Sequence, residues 1–450
     1  MPEGPRDEGV VKDGHVITLN RFEAEAARED ANSSKHQTLW IQAYSQLCDF
    51  DVKKLRRRDR AFKVKFLGEA SDDYGGPFRE AITNMCAELQ HHPPRVKAPL
   101  FILTPNGQTG HGNHRSAYTV HPQTSGKLGY FAFFGKLLGC SLLQRELNLD
   151  LELSENVWKR IAGEVRVCTG WPRRSLGGQI AALLIPPAAR PPHPPRQVLS
   201  EYDLSAFDQS VLSSLRQLRR IEQEGIDEET FGEFFFESFE ILLSDGSPLE
   251  LVEDGSATGV TFATRQRYCD LAIAARLAEG SEAYEAIQSG LYSILPCARL
   301  LRLFTGADLM HLACGEADVD VKALSAHTAY GASASANMAH VKYFWQALEA
   351  FTPEQRRSFL QFIWGRNRLP FTEEDWGEAR MKIHTKDCAG APDQYFPIAH
   401  TCFFSIELPR YSSKDICYAK LLWAVNNCVS IDADNTREGR ANMAGLEGSS

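Results

Sequence analysis

Near its C-terminal end the chain reads PIAHTCFFSIELPRYS over residues 397–412. Within this segment Phe404, Ile406 and Leu408 alternate with polar residues, so a strand is predicted to begin at Cys402. A thiol at the start of a strand can be exposed while its neighbours are buried, as a nucleophile requires. A small core side chain is the commoner role of a cysteine. His400 can face the same side of an extended chain as Cys402, but this spacing alone does not establish a catalytic pair.

The chain around this segment has 450 residues, enough for two or more domains, because single hydrophobic cores stop growing near about 250–300 residues. Its formal net charge of −9 argues against extensive contact with nucleic-acid phosphates. No apolar run approaches the roughly 20 residues that span a bilayer, and residues 1–20 lack the apolar core of a signal peptide. We therefore expect a cytoplasmic or nuclear protein with no nucleic-acid or membrane partner.

The eleven cysteines are scattered along the chain, and none forms a C-x-x-C pair. Zinc ribbons and thioredoxin-like sites are therefore not expected, and we predict no metal site. An odd number of cysteines without a secretory signal indicates reduced thiols, most of them small core residues. At most one or two should be chemically special.

Several segments have a clear local signal. Residues 1–36 are polar and acidic and are predicted to be a disordered lead-in, and the small, polar residues 436–450 a disordered tail. Six prolines between residues 186 and 196 predict an extended loop within an insertion at about 165–200. Helices are predicted at about 77–89, 130–146, 265–279 and 281–293, and a strand at 62–66. Thr352-Pro353-Glu354-Gln355 combines a helix N-cap, a first-turn proline and a capping-box glutamine, and Gly365 is predicted to end that helix.

The 397–412 segment resembles the active-site segment of HECT-type ubiquitin ligases. Upstream, GRNRLP at residues 365–370 is similar to the G-x-x-R-x-P segment of that family, and residues 66–80 resemble its opening strand, turn and helix. Residues 133–139 and Phe344-Trp345 also match the family pattern in order. The resemblance extends over about residues 37–435, whereas the 165–200 insertion has no counterpart in the family pattern. Residues 58–66 and 430–432 look closest to the large HERC branch.

The resemblance implies an α+β, bilobal HECT fold. A mostly helical N-lobe would cover 37–314 and a smaller α/β C-lobe 319–435, joined by a flexible hinge at 315–318 that contains Gly315, Glu316 and Ala317. Within the N-lobe, a subdomain at about 205–300 would bind the ubiquitin-conjugating enzyme through an apolar groove. The contacts predicted for that groove are Leu215, Leu218, Phe231, Phe234 and Phe235. For each of these five side chains, ordinary core packing is the alternative.

The resemblance also implies the chemistry. Cys402 would accept ubiquitin from a conjugating enzyme as a thioester and pass it to a lysine of a substrate that the sequence does not identify. His400 and Thr401 would orient the reacting groups, whereas Arg79 and Arg368 are expected to hold structure. No metal, nucleotide or other cofactor is implied, because the energy arrives in the thioester. The alternatives are a catalytically silent scaffold that binds conjugating enzyme or ubiquitin, and a cysteine hydrolase, for which no glycine-flanked cysteine motif is present.

Overall fold

The computed structural model describes residues 15–29, 37–58, 60–68, 76–90, 100–144, 147–166, 197–295, 301, 303–316, 318–366, 368–370, 373–377 and 379–427. Helices and short strands alternate through these ranges, so the predicted α+β class is confirmed. Within the same ranges, no helix has the length and apolar composition needed to cross a membrane.

The helices, in chain order, are α1 (Arg21–Glu29), α2 (Leu39–Leu47), α3 (Val52–Leu55), α4 (Gly76–Leu89), α5 (Pro105–Thr109), α6 (Leu128–Ser141), α7 (Glu155–Ile161), α8 (Glu201–Phe207), α9 (Gln209–Arg219), α10 (Phe231–Phe234), α11 (Arg265–Ala278), α12 (Ser281–Ile294), α13 (Gly306–Cys314), α14 (Val321–Ala326), α15 (Ala339–Ala350), α16 (Pro353–Trp364), α17 (Glu373–Trp376) and α18 (Lys414–Asn427). The strands are β1 (His15–Leu19), β2 (Phe62–Phe66), β3 (Phe101–Leu103), β4 (Tyr118–Val120), β5 (Val165–Arg166), β6 (Gln197–Val198), β7 (Glu240–Leu242), β8 (Pro248–Glu250), β9 (Thr328–Tyr330), β10 (Met381–Thr385), β11 (Ile398–His400) and β12 (Ser405–Leu408).

The helix predicted at about 130–146 is confirmed as α6, which is buried on most of its surface. It packs against α12 in the first hydrophobic core, formed by residues between 17 and 162 and between 283 and 314. Glycines allow the two helix backbones to touch. A Cβ added at Gly135 would lie 2.0 Å from the Ile287 carbonyl oxygen, and one at Gly290 would lie 1.9 Å from the Ala132 carbonyl oxygen. Because neither site has room for a methyl group, the crossing requires glycine on both helices.

Replacing Gly290 by alanine is therefore expected to lower the free energy of unfolding by at least about 1–3 kcal/mol, the usual cost of overpacking a core. Gly232, on α10, is the matched control, because no heavy atom lies within 4 Å of a Cβ added there. Alanine at Gly232 should leave stability unchanged or slightly higher. Thermal unfolding of the two variants measures the difference, and equal melting temperatures would contradict the close helix crossing.

The prediction of a disordered lead-in at 1–36 is wrong for residues 15–29. These residues form β1 and α1, and β1 pairs in parallel with β2, with Ile17 opposite Val64. Ile17 and Leu19 are completely buried. The alternation of Ile17, Thr18 and Leu19 was the available signal. Among the described side chains of α1, however, the buried ones are the small residues Ala24 and Ala27, so the segment as a whole looks polar. Residues 1–14 and 30–36 lie outside the described residues.

The second core contains buried side chains between Val165 and Leu277, mainly from α8, α9, α11 and the β7–β8 hairpin. It coincides with much of the predicted 205–300 subdomain. The ends of the 165–200 insertion pair with each other, since β5 and β6 are parallel neighbours. Residues 167–196, which include the predicted proline-rich loop, lie outside the described residues.

The third core contains buried side chains between Val319 and Val425. Its sheet has the strand order β11–β12–β10–β9, in which β10 is parallel to both of its neighbours and β11 is antiparallel to β12. Helices α15, α16 and α18 pack with this sheet. The predicted limits of α16 are confirmed: Thr352 and Gln355 form the capping box, and Gly365 ends the helix at φ 72°. The predicted tail at 436–450 lies outside the described residues.

Candidate functional site

Cys402 lies in a single turn of 3₁₀ helix, Thr401–Phe403, that connects β11 to β12; we call it the Cys402 turn. The prediction that a strand begins at Cys402 is wrong, because β12 begins at Ser405. The apolar alternation runs on to Phe404, but Phe404 has a left-handed backbone with φ 47°, and the chain reverses there. His400 consequently lies opposite Ser405 in the antiparallel pair. The structure thus puts Cys402 on a turn at the end of two strands.

Phe404 anchors the Cys402 turn to the third core. A non-glycine residue in the left-handed region costs about 1–3 kcal/mol and persists only where its surroundings hold it. Phe404 is buried, and its ring stacks on Trp364 with centroids 4.0 Å apart and planes 9° from parallel. Its carbonyl oxygen accepts a hydrogen bond from the Lys382 backbone N–H on β10 at 2.9 Å. The turn therefore has a fixed position relative to the sheet.

Arg79, on α4, ties the same turn to the first core. Its Nη2 donates to the carbonyl oxygen of Thr401 at 3.1 Å, and its Nε donates to the carbonyl oxygen of Trp364 at 3.2 Å. The next turn of α4 adds a third bond, from the Thr83 hydroxyl to the carbonyl oxygen of Gly365 at 3.3 Å. Arg79 thus holds structure, as expected, but it does so at the residue that precedes Cys402.

His400 pairs with a residue that sequence reasoning did not select. Its Nε2 lies 3.1 Å from the Glu407 carboxylate, across the β11–β12 pair. Both side chains are partly exposed, at 41% and 38%. Glu407 therefore fixes the orientation of the imidazole beside the Cys402 turn. Only the chain reversal brings these two side chains together, so no sequence spacing signalled the pair.

The five side chains predicted to line the conjugating-enzyme groove differ in their exposure. Leu215, Leu218 and Phe231 are core side chains, at 5%, 5% and 3% exposed, so their prediction as surface contacts is wrong. Phe235 is partly buried against Phe231. Five phenylalanines lie within residues 231–239, which we call the aromatic run. In this run Phe234 is 63% exposed and its neighbour Phe236 is 83% exposed.

The difference in exposure has a geometric cause. Leucines three or four apart on a helix share one face, and in α9 that face packs on the second core. The aromatic run is different, because α10 ends at Phe234 and the chain leaves the helix in an extended conformation at Phe235. Phe234 and Phe236 then remain outside the core, whereas Phe231 packs into it.

At the predicted hinge, Gly315 follows the last residue of α13 and has φ 76°. A Cβ at this position would lie 2.4 Å from the Leu369 carbonyl oxygen, so only glycine fits. Glu316 donates its backbone N–H to that same oxygen at 2.9 Å. Ala317 lies outside the described residues, and bending at 315–318 stays a prediction.

Most of the other described cysteines are poor nucleophiles. Cys86, Cys140, Cys269, Cys314 and Cys417 are buried free thiols, as predicted for core cysteines. Burial raises the pKa of Cys140, Cys314 and Cys417 to about 12, so these thiols stay protonated at neutral pH. Cys48 and Cys388 are partly exposed. Across the described ranges, no three His, Cys, Asp or Glu residues form a cluster that could hold a metal ion.

Comparison with known proteins identifies the family of the chain. The protein-family model described as HECT-domain (ubiquitin-transferase) matches residues 89–432, which include the Cys402 turn. The mouse E3 ubiquitin-protein ligase HERC2 is 32% identical over 428 residues, covering 94% of this chain and 8% of that protein. Its human counterpart is 31% identical with the same coverage, and the human probable E3 ubiquitin-protein ligase HECTD4 is 27% identical over 81% of this chain and 9% of that protein.

The chain therefore spans less than a tenth of the length of these relatives. The resemblance to the large HERC branch is confirmed by the two HERC2 proteins, which align with nearly the whole chain. Since the family model covers well over half of the 450 residues, this chain belongs to the HECT-domain family of ubiquitin transferases.

Proposed function

We propose that this chain is a HECT-type ubiquitin-protein ligase that accepts ubiquitin from a conjugating enzyme as a thioester on Cys402 and transfers it to a lysine of a protein substrate. The observation that carries the proposal is the Cys402 turn. A cysteine stands at the reversal between β11 and β12, inside the region that matches the HECT-domain model. Phe404 and Arg79 hold this turn on both sides, as a site that must present one reacting atom requires.

The first step exchanges one thioester for another. The Cys402 thiolate attacks the carbonyl carbon of the ubiquitin C-terminus, a new carbon–sulfur bond forms, and the conjugating enzyme's cysteine leaves as a thiolate. One bond of the same type forms as the other breaks, so the step is nearly balanced in free energy. It requires a nucleophilic cysteine, which is the role of Cys402.

The second step forms an amide. A neutral lysine amine of the substrate attacks the carbonyl carbon, the bond to Cys402 breaks, and the amine loses its proton. An amide is more stable than a thioester, so the step runs downhill without a cofactor. His400 and Thr401 orient the site in this proposal, His400 through its pair with Glu407 and Thr401 through its carbonyl bond with Arg79.

The lobes are part of the same proposal. The first and second cores form the N-lobe, and the third core, with its mixed sheet, forms the C-lobe. The boundary falls between Cys314 in the first core and Val319 in the third, where Gly315 has a positive φ. These separate cores support a hinge at 315–318, because each lobe can keep its packing when the connection bends.

The conjugating enzyme is proposed to dock on the second core, around Phe234 and Phe236. Exposed aromatic side chains contribute most of the binding energy in many protein interfaces. These two side chains are among the most exposed large apolar groups of the described residues. Phe231, which lies in the core, and the partly buried Phe235 have their ring centroids 5.3 Å apart and support this surface from below.

Replacing Phe236 by alanine is expected to slow loading of Cys402 by about tenfold, because a buried interface aromatic commonly contributes more than about 1 kcal/mol. Stability should not change, since the side chain is 83% exposed. Phe22→Ala is the matched control, because Phe22 is 76% exposed and lies on α1, a helix that packs on the first core through Ala24 and not on the second core. Loading rates measured with one charged conjugating enzyme compare the two variants. Equal rates would place the docking surface elsewhere.

A single-round transfer experiment tests the function itself. A panel of conjugating enzymes preloaded with ubiquitin is mixed with the chain, and the products are separated with and without reducing agent. A ligase gives a ubiquitin adduct that reducing agent removes and that forms only with a charged conjugating enzyme. A scaffold binds without forming an adduct, and a hydrolase cleaves model esters unaided. Either of these last two results would contradict the proposal.

A further inference from the structure

Arg79 donates hydrogen bonds to the backbone carbonyl oxygens of Trp364 and Thr401, for which few other donors are available. Trp364 is the last residue of α16, where carbonyl oxygens lack partners within the helix. Thr401 begins the Cys402 turn, and its carbonyl also receives the longer bond of 3.4 Å from the Phe404 N–H that closes the turn. Arg79 donates to both oxygens from one guanidinium. It therefore links the end of α16 to the start of the Cys402 turn.

The chemistry of arginine makes this link directional. A guanidinium is planar and permanently charged, and its N–H groups point in fixed directions, so two donors from one group set the relative position of their acceptors. Its positive charge is also favourable at the C-terminal end of a helix, where the helix dipole is negative. Arg79 is 9% exposed, so water competes little for these bonds. Few other side chains could hold both carbonyls in the same arrangement.

Two other contacts between the first and third cores lie away from the Cys402 turn. Arg357 on α16 pairs with Glu152 at 2.5 Å, and Arg368 donates to the Leu151 carbonyl oxygen at 2.8 Å. These contacts hold the two parts of the chain together without touching residues 401–403. A variant that breaks one of these contacts therefore tests the attachment of the first core to the third core by itself, whereas a variant of Arg79 also affects the Cys402 turn.

We propose that Arg79 is a positioning residue that holds the Cys402 turn against α4 and supports the transfer of ubiquitin from Cys402 to lysine more than the loading of Cys402. The inference rests on the proposed function. Loading requires the turn to meet a conjugating enzyme that we place on the second core, whereas α4 belongs to the first. Transfer to lysine has no such requirement and can take place with the turn held as the structure shows it.

The test separates the two steps. The chain is loaded with ubiquitin from a charged conjugating enzyme, loading is stopped, and free lysine is added as the acceptor. Arg79→Gln is expected to load within twofold of the parent rate and to discharge onto lysine about tenfold more slowly. Arg79→Lys keeps the charge but has only one nitrogen, so its discharge rate should lie between those of the parent and Arg79→Gln.

Arg357→Gln is the matched control, since it removes an ion pair between the same two cores but leaves the turn untouched. Both of its steps should run at parental rates. Because only a folded chain loads, loading itself reports that a variant is folded. Equal loss of both steps in the two Arg79 variants, or unchanged discharge, overturns the role of Arg79. A parent chain that never loads refutes the proposed function instead.

Discussion

Replacing Cys402 by serine is expected to abolish the reducible ubiquitin adduct and to give, far more slowly, an adduct that survives reducing agent. A serine hydroxyl is a much weaker nucleophile than a thiolate unless a base activates it. The ester that it forms with the ubiquitin C-terminus resists thiols but is cleaved by hydroxide. Cys402→Ala has no nucleophilic atom and should give neither adduct. Electrophoresis after treatment with reducing agent or with alkali distinguishes these products.

Cys388→Ala is the matched control for the Cys402 variants. Cys388 is a partly exposed free thiol between β10 and β11, and it should be dispensable for the adduct. The buried thiols Cys140, Cys314 and Cys417 are disfavoured as nucleophiles because burial raises their pKa to about 12. A reducible adduct that persisted in Cys402→Ala and disappeared in Cys388→Ala would move the nucleophile to Cys388.

Local signals predicted the secondary structure well where the cause lies within a few residues. The capping box at Thr352 and the C-terminal glycine at Gly365 both act within one turn of α16, and both are present. The lead-in was missed because β1 is stabilised by pairing with β2, more than forty residues later in the chain, and not by its own propensity. A strand of this kind can be recognised only when the strand that it pairs with is known.

The candidate site likewise combines a feature that the sequence predicted with features that depend on distant residues. Sequence resemblance selected Cys402, but it did not show the chain reversal, which depends on a left-handed phenylalanine that local propensity disfavours. Stacking on Trp364 stabilises that conformation. Arg79 contacts Thr401 across 322 residues, and no sequence period connects such positions. Composition likewise could not divide the aromatic run into the buried Phe231 and the exposed Phe236.

The second core contains a buried charge cluster whose loss should have the largest effect on stability. Arg276 is 1% exposed and donates to Asp208 and to Glu279, each at 2.5 Å. Burial is the main reason that the pKa of Glu279 is raised, although Arg276 opposes that shift. Asp208 also accepts the Val211 N–H and so caps α9. One arginine therefore compensates two buried carboxylates.

Arg276→Met is expected to cost about 3–5 kcal/mol at neutral pH, because it removes the cation that pairs with both buried carboxylates. Amide hydrogen exchange in α9 and α11 measures this loss where it occurs, and it should speed up by at least about two orders of magnitude. Arg219→Met is the matched control in the same core. Arg219 is 26% exposed and pairs with the partly exposed Glu201, so its loss should cost no more than about 1 kcal/mol.

The pH dependence separates an uncompensated charge from lost packing. Without Arg276, the folded state favours the protonated form of Glu279, so the folded pKa of Glu279 lies further above its unfolded value than in the parent. A group whose folded pKa is raised carries its full penalty at pH above that pKa and none below the unfolded value, which for glutamate is near 4.5. The difference in stability between parent and Arg276→Met should therefore shrink as the pH falls toward 4.5. A difference that stays constant with pH would mean that Arg276 stabilises the second core by packing and not by its charge.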